Sequence, residues 1–249
     1  MERTENGWAI VLQDLHKSFG WQVVLNGIHL RVAQGETMAV LGRSGTGKSV
    51  LLKLIIGLLK PESGSIQIHG QDIAGLSLEQ LNEVRKKIGF LFQEGALYDS
   101  LTIEENVSFP LQRHTHLSPA EVKDRARELL SRVGLAEDFG KMPSQISGGM
   151  KKRVGLARAL ALKPDILLCD EPTAGLDPIT AGEIDDLILK LRKERKMASI
   201  VVTHDLYGAK TISGHLALID KGNIVMEGTF EDLQKSKDPF VSQFLKQGF

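Results

Sequence analysis

A single cysteine, Cys169, excludes any disulfide framework within the 249-residue chain. It sits in the apolar run Ile166 to Cys169, where a small buried hydrophobe is the expected role. Charge of either sign is not in excess, since 31 Lys and Arg balance 31 Asp and Glu. No net field therefore draws the chain to nucleic acid or to an acidic membrane surface. Long hydrophobic runs are also missing. The longest, LLKLIIGLL, falls well short of the ~20 residues that span a bilayer. The N-terminal MERTENGW has no apolar stretch of the signal-peptide kind. These absences predict a cytoplasmic protein that acts on membranes only through a partner. What remains is an ordinary globular composition, 42% apolar and 25% charged, long enough to bury a sizeable core.

Strand-like runs rich in Val and Ile occupy 8–14, 23–32, 36–41, 64–69, 87–92, 165–170, 198–203, 215–220 and 223–227. TMAVLG, DILLCDE and ASIVVTH are short continuous apolar runs, as in strands buried on both faces of a parallel sheet. The early strands alternate more and turn closely, which predicts an antiparallel layer. Helical patterns fall at 48–59, at 118–132 behind a Ser118–Glu121 capping box, at 147–162 and at 178–195. The predicted fold is α/β, a P-loop core with a mostly parallel sheet, an N-terminal antiparallel β layer and an inserted helical subdomain. The core takes 1–94 and 163–249; the segment 95–162, which holds no convincing strand, is the helical subdomain.

Gly42, Arg43, Ser44, Gly45, Thr46, Gly47, Lys48 and Ser49 follow a strand and open a helix, the context a P-loop requires. The glycines let backbone N–H groups close on phosphate oxygens, and Val50 continues the loop into the helix. Lys48 is placed to reach the β- and γ-phosphates, and the Ser49 hydroxyl to bind Mg²⁺. The strand ILLCDE ends in two carboxylates. Asp170 suits water-mediated binding of Mg²⁺, and Glu171 suits polarising an attacking water. A solvated pair of loop acids is the plain alternative for these two.

A second phosphate cradle stands at Ser147, Gly148 and Gly149, where a helix N-terminus points bare N–H groups outward. One nucleotide does not need both cradles. The economical reading has two chains meeting head to tail, each P-loop facing the other's Ser147–Gly149, with ATP as the glue of the homodimer.

In this order the motifs resemble the ATPase subunits of ABC transporters, over roughly residues 8 to 235. The resemblance makes 42–49 the Walker A motif, Ile146 to Met150 the signature, 166–171 Walker B and AGLD at 174–177 the D-loop. It implies that Gln93, in FLFQEG, is the Q-loop glutamine and a metal-side ligand. It implies that His204, in VVTHD, contacts the γ-phosphate, and that Phe19, in KSFG, stacks on adenine. Alone, His204 reads as an ordinary loop histidine and Asp177 as a helix cap ahead of Pro178; the resemblance adds a cross-dimer contact for Asp177. The signature departs from the usual Leu-Ser-Gly-Gly-Gln at both ends, with Ile146 and Met150, but keeps its Ser-Gly-Gly centre.

Residues 91–111 and 147–180 further resemble the Mla/Mce-associated ATPases, which power movement of phospholipids or related lipids between bacterial membranes. That resemblance implies a membrane permease docked near the helical subdomain, Mce-domain and lipid-binding partners, and a place on the cytoplasmic face of the inner membrane. An ATPase of an amino-acid or lipoprotein system stays open as the alternative, as does an ATP-gated clamp without transport. A nucleic-acid clamp would need a long coiled-coil insertion, and only about a hundred residues separate Lys48 from Ser147. The C-terminal DPFVSQFLKQGF reads as a short amphipathic helix that docks on the chain's own body.

Overall fold

A computed structural model describes residues 7–247. Residues 1–6, which carry most of the N-terminal stretch read above, and 248–249 lie outside the described residues. The centre is a six-stranded sheet in the order β10-β9-β3-β8-β7-β6. β3 (Thr37–Leu41), β6 (Ile88–Leu91), β7 (Ile166–Asp170), β8 (Ala198–Thr203) and β9 (His215–Asp220) are parallel to their neighbours, and β10 (Asn223–Gly228) closes the edge antiparallel. Every residue of β3, β7 and β8 is buried, which is why their sequences are continuous apolar runs. Full burial of each such Leu, Ile or Val stabilises the fold by about 1.5–3 kcal/mol.

The second sheet is antiparallel, with β1 (Trp8–Phe19), β2 (Gln22–Ala33), β4 (Ser63–Ile68) and the two-residue β5 (Gln71–Asp72) in the order β2-β1-β4-β5. β1 runs to Phe19, past the expected end at 14. Register shifts after Leu12 break the period-2 pattern, so the second half does not look like a strand in sequence. Between the two sheets lies α1 (Lys48–Ile55), with Leu51, Leu52, Leu54 and Ile55 all buried.

Helices fill the rest. α2 (Leu78–Lys86), α3 (Ile103–His114) and α4 (Pro119–Arg132) each begin with a full capping box, Ser77/Gln80, Thr102/Glu105 and Ser118/Glu121. α5 (Gly148–Ala159) starts one residue past its expected start, because Ser147 is the cap and not the first turn. α6 (Pro178–Arg195) spans the predicted range. Among the described residues, 95–162 contains α3, α4 and α5 and no strand. The short α7 (Leu206–Ile212), α8 (Phe230–Lys235) and α9 (Pro239–Gln247) follow the later strands. The C-terminal helix packs on the chain itself, with Val241 and Phe244 in one cluster with Leu206, Ala209 and Leu233. Among the described residues, no helix is long and apolar enough to cross a membrane.

Candidate functional site

The P-loop leaves the C-terminal end of β3, the buried centre of the parallel sheet, where ligands bind in open α/β sheets. Gly47 caps α1 with φ of 95°, a left-handed conformation that an L side chain resists. A Cβ there would also stand 2.9 Å from Leu25 and Val24 side-chain atoms. The next residue, Lys48, is 5% exposed. Its Nζ donates to the Gly42 and Arg43 carbonyls at 2.8 and 3.1 Å and lies 3.4 Å from Glu171 Oε1. Thr46 Oγ1 donates to the Arg43 carbonyl at 2.9 Å. The Arg43 guanidinium carbon is 5.8 Å from the ring centre of Phe240, so that side chain meets α9.

β7 delivers Asp170 and Glu171 beside this loop. Ser49 Oγ donates to Asp170 Oδ1 at 2.8 Å, bringing both expected metal-side groups together. Burial pushes the Asp170 carboxyl above the usual range; the Ser49 hydrogen bond opposes the shift and the neighbouring Glu171 charge adds to it. A cation would relieve that cost. Among the described residues there is no group of three or more His, Cys, Asp or Glu able to hold a metal alone. The hydroxyl and single carboxylate suit Mg²⁺, which takes few protein ligands and completes its shell with phosphate and water.

Glu171 has φ of 45°, uncommon for a residue with a side chain. Its amide donates to the Val202 carbonyl at 2.9 Å. Its Oε2 lies 2.9 Å from His204 Nδ1, at the end of β8. A carboxylate oxygen accepts in such a contact and the imidazole N–H donates. The His204 side chain is 59% exposed. Phe19, Val24, Ser44, Gly45, Gly47, Lys48, Ser49, Val50, Gln93, Glu171 and His204 line one cleft of about 470 Å³. Lys17 Nζ sits 5.0 Å from the Phe19 ring centre and is held by Glu62 at 2.6 Å, which fixes the aromatic at the cleft's rim.

The second cradle lies elsewhere. Ser147 Oγ accepts from the Met150 amide at 3.2 Å and caps α5, while Ser147 and Gly148 are exposed. None of Ser147, Gly148 and Gly149 lines the cleft. Gly148 and Gly149 lie instead beside their own D-loop and the start of α6: a Cβ on Gly148 would stand 3.7 Å from Leu176 Cδ2, and one on Gly149 2.6 Å from Thr180 Cγ2. Asp177 Oδ1 accepts from the Ile179 and Thr180 amides, both at 3.1 Å, and Oδ2 from the Thr180 hydroxyl at 2.6 Å. Those bonds, the hydroxyl's first, hold its carboxyl below the ordinary range. Asp177 is thus a cap, and it too stands outside the cleft.

Two residues that sequence reasoning missed tie the site together. Lys152, on α5, is 5% exposed and donates from Nζ to the main-chain carbonyls of Gln93 and of Glu171, the latter at 3.1 Å. Asn106, fully buried on α3, accepts from the Tyr98 amide at 2.8 Å and donates toward the Tyr98, Leu101 and Thr102 carbonyls at 3.0 to 3.1 Å. It staples the loop that follows Gln93. In sequence each is one polar residue in a helical pattern, with nothing to mark it as buried.

A sheet of this topology, with a P-loop at its centre and a Ser-Gly-Gly helix start displayed outside the cleft, defines an ATP-binding cassette ATPase. The comparisons agree. The family model described as ABC transporter matches residues 25–174, and the chain belongs to that family. The chain is 44% identical over 243 residues to the probable ribonucleotide transport ATP-binding protein mkl of Mycobacterium leprae, covering 98% of this chain and 70% of that one. It is 43% identical over 237 residues to the intermembrane phospholipid transport system ATP-binding protein MlaF of Haemophilus influenzae, covering 95% and 90%. A dimeric post-hydrolysis structure of the ATP-binding cassette MJ0796, bound to ADP and Pi, superposes with a TM-score of 0.82 at 35% identity, covering 88% of this chain and 98% of that one.

Proposed function

We propose that this chain is the ATP-hydrolysing subunit of a lipid transporter, with phospholipid as the cargo class. The observation that carries the chemistry is the Glu171 carboxylate, held between Lys48 and His204 on the wall of the cleft. With ATP bound, Lys48 leaves the Gly42 and Arg43 carbonyls for the β- and γ-phosphates. Ser49, Asp170 and Gln93 are the residues that would hold Mg²⁺. Mg²⁺ supplies neutralisation of phosphate charge. Glu171 accepts a proton from the water whose oxygen attacks the γ-phosphorus. The bond to the bridging oxygen breaks and ADP and phosphate leave. His204 Nε2 faces the γ-phosphate, and Phe19 stacks on adenine.

The exposed Ser147 and Gly148 at the start of the signature helix support completion by a second copy, each nucleotide being covered by the partner's signature and flanked by its Asp177. Residues 95–162 then move as one helical subdomain against the core at 1–94 and 163–249. A groove of about 400 Å³ on that side is lined by Phe90, Phe92, Ala96, Tyr98, Pro110 and Arg158, and it supports docking of the permease. Lipid cargo is supported by the 43% likeness to a phospholipid-system ATPase over 95% of the chain. With a lipid permease, and Mce-domain and lipid-binding proteins beyond it, the chain works on the cytoplasmic face of the inner membrane.

The test is co-purification with a candidate lipid permease, followed by lipid transfer between vesicles. Tyr98, 47% exposed on the groove wall, is the probe residue. Tyr98→Asp is expected to release the permease and stop transfer while ATP binding persists. Lipid transfer that continues with Glu171→Gln, alongside ATP-driven uptake of a small solute, would overturn the lipid reading in favour of an importer.

A further inference from the structure

We infer that Lys152 is a positioning residue for hydrolysis: from the signature helix it holds the main chain of Glu171 and of Gln93 in working register. The inference rests on reading Glu171 as the base, and goes beyond it by assigning what sets that base's geometry.

The backbone of Glu171 stands at φ 45°, a conformation that persists in a non-glycine residue only where its surroundings over-determine it. Its amide is held by the Val202 carbonyl and its side chain by His204 and Lys48. Its carbonyl accepts from the Ala174 amide at 3.2 Å within the following turn, and the Lys152 ammonium is the side chain that holds it, at 3.1 Å. The same ammonium donates to the Gln93 carbonyl. A lysine buried to this degree carries a desolvation cost, and burial lowers its proton affinity against the opposing pull of Asp170, Glu171 and Glu94. Structure at such a cost is better spent on a geometric task than on stability, because an apolar residue would fill the space more cheaply.

The position on α5 matters. Lys152 lies five residues beyond Ser147, about 7.5 Å along the helix axis. Arg158, further along the same helix, donates to the Gly95 and Ala96 carbonyls at 2.7 and 2.8 Å. The helix whose N-terminus forms the exposed cradle therefore grips both the end of β7 and the loop after β6. A shift of that helix reaches the Glu171 carboxylate through Lys152, without passing through the nucleotide.

The test compares the full chain with Lys152→Met, Lys152→Gln and Glu171→Gln, and with the Lys152→Met/Glu171→Gln double variant. Steady-state ATP hydrolysis, ATP binding and thermal melting are read for each. Lys152→Met is expected to lower kcat roughly 10- to 100-fold, the scale of a misplaced catalytic group, with the Kd for ATP within about threefold of wild type. Lys152→Gln, whose amide can still donate to one carbonyl, is expected to recover part of that kcat. In the Glu171→Gln background Lys152→Met is expected to add little, since the two act as a unit. A Lys152→Met chain that melts as wild type and keeps full kcat would overturn the inference. So would a loss shared equally by both Lys152 variants, or one that multiplies in full onto Glu171→Gln. Wild-type turnover by Glu171→Gln alone would instead overturn the base assignment.

Discussion

The chain builds two phosphate cradles, and they are finished to different degrees. At the P-loop the working side chains already have partners: Lys48 has two carbonyls and Glu171, Ser49 has Asp170, and Glu171 has His204. At Ser147 the helix start is capped, Ser147 and Gly148 are exposed, and neither lines the cleft. On the proposed reading the first cradle is a pre-organised catalytic site, whose groups need only exchange internal partners for phosphate oxygens. On that reading the second is half of a site, and the contrast would let one chain bind nucleotide alone and need a second copy to act on it.

The finished cradle depends most on one carboxylate. Glu171→Gln keeps the shape and removes the base. Turnover is expected to fall 10²- to 10⁴-fold while ATP remains bound. Phosphate release by the purified chain checks this, and turnover within about threefold of wild type would sink the role assigned to Glu171.

The unfinished cradle is tested next. In a Glu171→Gln background, ATP is expected to drive dimerisation and ADP is not. Ser147→Arg places a bulky cation where the partner's nucleotide would sit. It also removes the cap on α5, worth about 1 kcal/mol. It should abolish the ATP-dependent dimer while leaving binding to the monomer nearly intact. Sedimentation with and without ATP reads the outcome, and a Ser147→Arg chain that still dimerises with ATP refutes completion in trans.

The two regions also differ in how far sequence exposes them. The P-loop, the ILLCDE strand and His204 in VVTHD are contiguous motifs on continuous apolar strands, so their order nearly dictates their meeting. The connecting parts are harder. α2 and α3 carry the same capping pattern as Ser118–Glu121, with Ser77/Gln80 and Thr102/Glu105 in plain view, and Leu78, Leu81 and Val84 or Ile103, Val107 and Leu111 at helical spacing; the interior Pro110 of α3 is the local signal against a helix. α7 has only seven residues, short of two full turns, and leaves almost no periodic trace. Lys152 and Asn106 are invisible for another reason: their partners are main-chain carbonyls brought close only by the fold, and no residue pattern records a carbonyl. The N-terminal cap role of Asp177, by contrast, needed only Pro178 beside it.

The smallest expected effect lies at the seam between the two regions. Asp185 on α6 is 4% exposed, in a cleft of about 420 Å³ that also takes in Gly175, Leu176, His204 and Asp205. Burial, then the charges of Asp205 and Asp186, pushes its carboxyl up to about 7. The folded chain therefore holds a proton there that the unfolded chain, with an Asp near ~3.9, has released over the intervening range. Stability must fall as pH rises from roughly 4 to 7, and the full penalty applies above that. Asp185→Asn removes the charge and keeps the shape. At pH 8 it is expected to stabilise the chain by roughly 1–3 kcal/mol, the scale of an uncompensated buried polar group. In a chain of this length that is about 2–4 °C of Tm per kcal/mol. At pH 5 the protonated acid and the amide are near-isosteres, and the two melts should converge. If the Tm difference between variant and wild type is the same at both pH values, Asp185 is not the titrating group, and the seam between the cradles is no softer to pH than the P-loop side.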